Sequence, residues 1–160
     1  MASCFADIIK DHSLDFVGIQ ETNKKEFPAK YLSRMDPGGF FVWNFLPSVG
    51  RSRGILCGIK KESLELISWK MGNFMVQARV FDVKNKCVWV LIVAYGAAHD
   101  DRKEDFLEEM LVTCSSVDVP YIIGGGGGTL ISLEGCRRKI RDMVTSSLLR
   151  SLMMLFIPWA

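Results

Sequence analysis

No Cys-x-x-Cys pair occurs among Cys4, Cys57, Cys87, Cys114 and Cys136, and their number is odd. Single, widely spaced thiols indicate neither a zinc site nor a disulfide framework, which leaves reduced, mostly buried cysteines. An excess of one charge sign is also lacking, because 20 basic residues face 18 acidic ones for a formal net charge of +2. Totals so balanced create no strong field for nucleic acid or membrane. No stretch reaches the roughly 18 apolar residues of a membrane span, and Met1-Ala2-Ser3-Cys4 lacks the basic segment and long apolar run of a leader. An intracellular protein without a membrane partner is expected, and no internal repeat is visible.

What is present suits one domain: 160 residues, 49% of them hydrophobic, are enough to bury a core. Phe5, Ile8, Ile9 and His12 recur at helical spacing behind Ser3, and Leu14 to Ile19 then reads as a strand. Gly54 to Ile59, Leu64 to Trp69 and Phe74 to Asp82 follow as strands separated by short polar turns, the pattern of an antiparallel meander. Val88 to Ala94 is apolar throughout, as a strand covered on both faces must be. Asp101 and Glu104 have capping-box spacing ahead of an apolar stripe of Phe106, Leu107, Met110, Leu111 and Cys114, which predicts a helix on the sheet. Pro120 to Ile123 reads as the next buried strand. Past Gly128 the character changes: Arg137, Arg138, Lys139 and Arg141 form a basic cluster. Ile140, Met143, Val144, Leu148, Leu152, Met153 and Phe156 then follow at helical spacing, so a terminal amphipathic helix is expected. The order α, β, antiparallel β, α, β predicts a mixed sheet with outer helices.

Five glycines, Gly124 to Gly128, stand where the last buried strand ends. The carboxyl ends of strands are where open α/β sheets place functional groups. A phosphate cradle would need Gly-Lys-Ser/Thr or spaced glycines opening a helix, and the chain continues Gly128-Thr129-Leu130 instead. The run therefore brings no side-chain chemistry to that place. At the end of the first strand Gln20-Glu21-Thr22 presents a carboxylate, and Glu21 could serve a hard divalent cation that takes one or two carboxylates with water and phosphate. A solvated loop glutamate is the alternative on these residues alone.

The block Leu14 to Thr22, with Gln20-Glu21, then Trp43-Asn44-Phe45-Leu46-Pro47, Gly54-Ile55-Leu56-Cys57-Gly58, Val93-Ala94-Tyr95-Gly96 and Pro120 to Gly125, resembles the endonuclease/exonuclease/phosphatase superfamily. The form it resembles is that of plant LINE-type (non-LTR) retrotransposons, and the likeness covers about residues 5 to 125. The resemblance implies a four-layered α/β sandwich and metal-dependent phosphodiester hydrolysis, with Mg2+ as cofactor and DNA as substrate. Glu21 then resembles the metal-binding glutamate, with Gln20 beside it, and Tyr95 the tyrosine that contacts the scissile phosphate. The family continues after Ile-Gly-Gly with Asp-Phe-Asn, and here Gly126 and Gly128 occupy the places of the water-activating aspartate and the phosphate-binding asparagine. The first strand with its asparagine and the later half with its Asp-His pair have no counterpart, and Arg53 replaces a glycine usual before Gly54.

The resemblance thus implies a truncated, degenerate copy: residues 1–128 a partial domain with its second half missing, and 129–160 a divergent tail. Loss of one base or donor commonly costs about a hundredfold in rate, and several together leave little activity. Half a sandwich would leave a sheet face uncovered and prone to self-association. An active enzyme with a rearranged site would need Asp100 or Asp101 near Glu21. A binding module would use the sheet and the basic terminal helix to contact nucleic acid or protein. His99, before the capped helix, reads as a solvated loop residue, and His12 as a helix-end residue favoured by the dipole. Trp43, Trp69 and Trp89 read as core or sheet-face residues rather than stacking platforms.

Overall fold

The uninterrupted apolar run Cys87–Ala94 becomes a strand flanked on both sides, and the rest of the architecture builds around it. The computed structural model describes residues 7, 9, 13–49, 54–95, 100–125, 129–130 and 152–155. In chain order the elements are β1 (Phe16–Thr22), α1 (Ala29–Met35), β2 (Phe41–Leu46), β3 (Gly54–Lys60), β4 (Leu64–Met71), β5 (Met75–Asp82) and β6 (Cys87–Ala94). A 3-10 turn (Asp100–Arg102), α2 (Lys103–Ser115), β7 (Tyr121–Gly125), β8 (Thr129–Leu130) and β9 (Leu152–Leu155) complete them. One sheet has the order β2-β3-β1-β9 and the other β4-β5-β6-β7-β8.

The two sheets pack face to face because alternate residues of their strands are apolar. Phe16, Ile55, Cys57 and Ile59 from the first sheet meet Val76, Val80, Trp89, Leu91 and Val93 from the second in one buried cluster. The opposite side of β6, with Val90, Ile92 and Ala94, is covered by Phe106, Met110 and Cys114 of α2. The outer side of the first sheet, with Val17, Ile19 and Leu56, is covered by Met35, Leu32 and Tyr31 of α1 together with Phe27. The result is an α/β sandwich of two mixed, largely antiparallel sheets between outer helices.

Three sequence expectations are corrected. Gly54–Lys60 does not continue into the β4-β5-β6 meander but pairs with β1 and β2 in the other sheet. The turn after it changes sheets, pinned by Lys60 N–H to Asp15 O at 2.9 Å, Lys61 N–H to Phe40 O at 2.9 Å and Val83 N–H to Ser63 O at 3.0 Å. The capping box does not form: Asp101 lies in the 3-10 turn and Arg102 takes the N-cap place without a side-chain cap bond. Its guanidinium sits over the Phe74 ring, 4.6 Å from the centroid, and fixes the entry of α2 by packing instead. Leu152–Leu155, read from its spacing as the end of a helix, is a strand parallel to Phe16–Ile19 of β1. A free β1 edge offers unpaired backbone groups, and pairing with them outweighs the weak helical preference of four apolar residues. Among the described residues the inner faces of the two sheets cover one another. The remainder of the expected terminal helix lies outside the described residues, and so does most of the expected first helix, of which residues 7 and 9 are helical. Among the described residues no helix is long and apolar enough to cross a membrane.

Candidate functional site at the strand ends

β1, β6 and β7 end at the same side of the sandwich, where Gln20, Glu21 and Tyr95 lie. β1 is regular through Ile19, which pairs with Leu56; the next registered pair is Thr22 with Gly54, so the strand gains a residue at Gln20-Glu21. This bulge holds Glu21 in the left-handed region at φ 59°. Bulges re-aim side chains at sheet margins, and a non-glycine residue held at positive φ stores about 1–3 kcal/mol that the surrounding structure must impose. Glu21 is half-exposed between the buried Gln20 and Thr22.

Gln20 shares the inner face of β1 with Phe16, and its Nε2 donates to Ala94 O of β6 across the sandwich at 2.8 Å. With 3% of its surface exposed, it is a polar tie between the two sheets inside the core. Tyr95 follows Ala94 directly; its N–H donates to Phe74 O at 2.7 Å and its half-buried ring packs against the inter-sheet cluster. Gly125 pairs with Ala94, and a Cβ at that glycine would stand 3.1 Å from Ala94 O, the same oxygen that accepts from Gln20. Gln20, Glu21, Tyr95 and the start of the glycine run therefore share one corner. Gly126, Gly128 and His99 lie outside the described residues, as does the Asp100 side chain; Asp101 is exposed in the 3-10 turn.

Two features of this corner escape a reading of the sequence. Thr22 Oγ1 is buried without a hydrogen-bond partner, and a Cβ at Gly54 would lie 2.5 Å from it and 2.6 Å from Leu46 O. Gly54 is thus required by close approach of β1 and β2, and a glycine opening a strand was the one available signal. Shifted titrations sit elsewhere: burial pushes the Cys57 and Tyr31 groups up, burial and the Asp82 charge do so for Cys87, and the Arg79 guanidinium lowers Asp118. Among the described residues no three His, Cys, Asp or Glu side chains converge.

The sequence matches no family model and no curated protein. Solved structures do match. An endonuclease/exonuclease/phosphatase from Bacteroides vulgatus aligns over 78% of this chain and 56% of its own, with TM-score 0.59 and 14% identity. D. rerio TDP2 complexed with single strand DNA product aligns over 78% and 52%, with TM-score 0.59 and 12% identity. The human Nocturnin catalytic domain with bound sulfate anion aligns over 78% and 55%, with TM-score 0.55 and 14% identity. The chain has the fold of these proteins and spans little more than half their length.

Proposed function

We propose that this chain is a degenerate portion of a metal-dependent phosphodiesterase domain, of plant retrotransposon endonuclease descent, which retains the frame of the site without its catalysis. The supporting observation is the Gln20 to Ala94 bond at 2.8 Å, which ties the carboxylate-bearing end of β1 to the strand end that carries Tyr95. Glu21 occupies the metal-binding position of such a site and Tyr95 the phosphate-contact position. DNA is the ligand class of the frame, as D. rerio TDP2 was solved with a single-strand DNA product.

The residues present do not fit a resident magnesium ion. Oxygen ligands bearing charge are what a hard cation requires, yet no three candidate ligands converge among the described residues. The orphaned Thr22 hydroxyl beside Glu21 is neutral and adds no charge. At Gly126 and Gly128 the sequence supplies hydrogen atoms where an aspartate and an asparagine would activate water and hold the phosphate. What remains for the chain's own residues is positional: Gln20 fixes the separation of the sheets, the bulge presents Glu21, and Tyr95 offers a phenol at the rim.

Plasmid incubated with the full chain and magnesium should show no nicking above a Glu21→Ala control. Restoring Gly126→Asp, Gly127→Phe and Gly128→Asn together should recover little. Robust nicking by the unmodified chain that disappears in Glu21→Ala would overturn the proposal, since other residues would then complete the site.

A further inference from the structure

β4 is the outermost strand of its sheet, bonded to β5 on one side and to no other strand among the described residues. Two bonds fix the phase of its backbone: Gly72 N–H donates to Met75 O at 2.8 Å, and Val83 N–H donates to Ser63 O at 3.0 Å. Bonded and unbonded pairs alternate along an antiparallel ladder. Glu65 and Lys70 therefore turn their N–H and C=O groups to β5, whereas Leu64, Leu66, Trp69 and Met71 turn theirs to the open edge. Between Leu66 and Ser68 the register shifts by one residue, so Ile67 and Ser68 together fill a single place in the alternation. About this bulge the pattern of the strand is symmetric, with one charged residue between two edge-bonding residues on each side. The side chains sort in the same way. Leu64, Leu66 and Trp69 pack toward the inter-sheet cluster, while Glu65, Ile67 and Lys70 are exposed, Ile67 by 51%. Glu65 and Lys70 enter no ion pair among the described residues. Lys70 exerts only a minor pull on Asp118, whose close partner is Arg79 at 2.9 Å.

We infer that this edge binds a second copy of the chain, β4 against β4 and antiparallel, about a two-fold axis through Ile67-Ser68. Such an axis sets Leu64 opposite Met71 of the second copy and Leu66 opposite its Trp69. All four have backbone groups turned to the edge, so each of these pairs closes hydrogen bonds. Between them Glu65 falls opposite Lys70 of the second copy, and Lys70 opposite its Glu65. These are the unbonded positions, where facing side chains approach most closely and opposite charges attract. Charge selects this register. A slip of two residues, the smallest that keeps the bonding phase, leaves neither charge facing its opposite. The exposed Ile67 meets its own copy at the axis, and the half-buried Leu66 and Trp69 gain cover at the edge. A bulge on a free edge hinders pairing with unrelated strands, but here it faces its own twin and the ladder keeps step on either side. The strand contains no proline to remove a donor. The product joins the two five-stranded sheets into one, through a contact that is closed at two chains.

Sedimentation of the full chain from low to high micromolar concentration tests this, and a monomer–dimer equilibrium is expected. Glu65→Lys and Lys70→Glu each set like charges opposite one another at both places, and each should weaken self-association by about tenfold or more. Mixed in equal amounts, the two variants should form a heterodimer as tight as the wild-type dimer, because every charge at the seam then faces its opposite. The double variant Glu65→Lys with Lys70→Glu, whose net charge is unchanged, should also associate like the wild type. Both side chains are exposed, so the fold is retained in all of these. Amide hydrogen exchange reads the register: Leu64, Leu66, Trp69 and Met71 should slow as concentration rises, while Glu65 and Lys70, already bonded to β5, should change little. A chain that stays monomeric at high micromolar concentration would overturn the inference. So would single variants that associate as the wild type does, a double variant that fails to, or concentration-dependent protection confined to residues outside β4.

Discussion

If Glu21 is held at φ 59° by the fold rather than by its own preference, replacing it with glycine must relieve a cost that alanine retains. A residue with a Cβ loses about 1–2 kcal/mol in the left-handed region, and glycine gives back about 0.5–1 kcal/mol through its greater freedom when unfolded. The balance makes Glu21→Gly more stable than Glu21→Ala by about 0.5–1 kcal/mol. Both variants delete the same carboxylate, so charge effects cancel in the comparison, and the half-exposed site leaves little difference in burial. At an ordinary strand position the order is the reverse, since glycine there costs about 0.5–1 kcal/mol against alanine. The sign alone is therefore diagnostic. Urea unfolding of the two variants measures it, and thermal midpoints should differ by about 1–4 °C in a chain of this size. Alanine equal to or more stable than glycine would refute the claim that the bulge imposes a strained geometry on the candidate metal-binding residue.

Gln20→Ala should cost about 2 kcal/mol, from a lost buried hydrogen bond and a small void between the sheets, and a loss below about 0.5 kcal/mol in urea would refute the inter-sheet tie. Gly54→Ala drives a methyl to within 2.6 Å of Leu46 O on an unshifted backbone, and should cost about 1–3 kcal/mol by the same measurement; a neutral outcome would exclude the close approach. Burial pushes the Cys57 thiol far above its ordinary value, so the folded chain keeps the proton that the unfolded chain loses above about pH 8.5. This contribution is complete below that pH and is lost above it at up to about 1.4 kcal/mol per pH unit. The difference in stability between the wild type and Cys57→Ala should therefore shrink between pH 8 and pH 10, and a constant difference would refute the burial argument.

Elements whose burial is periodic were legible before any coordinates. β6 is apolar at every position because both of its faces are covered, and Phe106, Met110 and Cys114 recur at helical spacing because α2 lies on a sheet. Partnership between strands was not legible. Short turns on either side of β4 look alike in sequence, yet one changes sheets and the other does not, and the difference rests on bonds to Asp15 O and Phe40 O from distant parts of the chain. Leu152–Leu155 fits either a helix or a strand by composition, and the edge of β1 decides. β2 carries Asn44 in its middle, with an Nδ2 buried and unpartnered, which disguises a strand whose remaining residues are apolar or aromatic.

The corner itself was legible in its residues and not in its geometry, and the reason bears on how such a site can erode. Glu21 stands out as a carboxylate at a strand end, and Gln20 and Tyr95 through the resemblance of their motifs, but nothing in a glutamate announces positive φ, and Gly54 acts through what it lacks. The structural work at this corner is done by Gln20, Gly54 and Gly125, each through a contact that a bulkier or shorter side chain would break. The cluster between the sheets includes Phe16, Ile55, Leu91 and Val93 and, among the described residues, not Glu21. Glu21 can therefore be replaced without removing a member of that core. On the proposed reading such a fold can outlast its chemistry: the groups that keep the sheets together, Gln20 and the apolar cluster, are different from Glu21, which would face a phosphodiester.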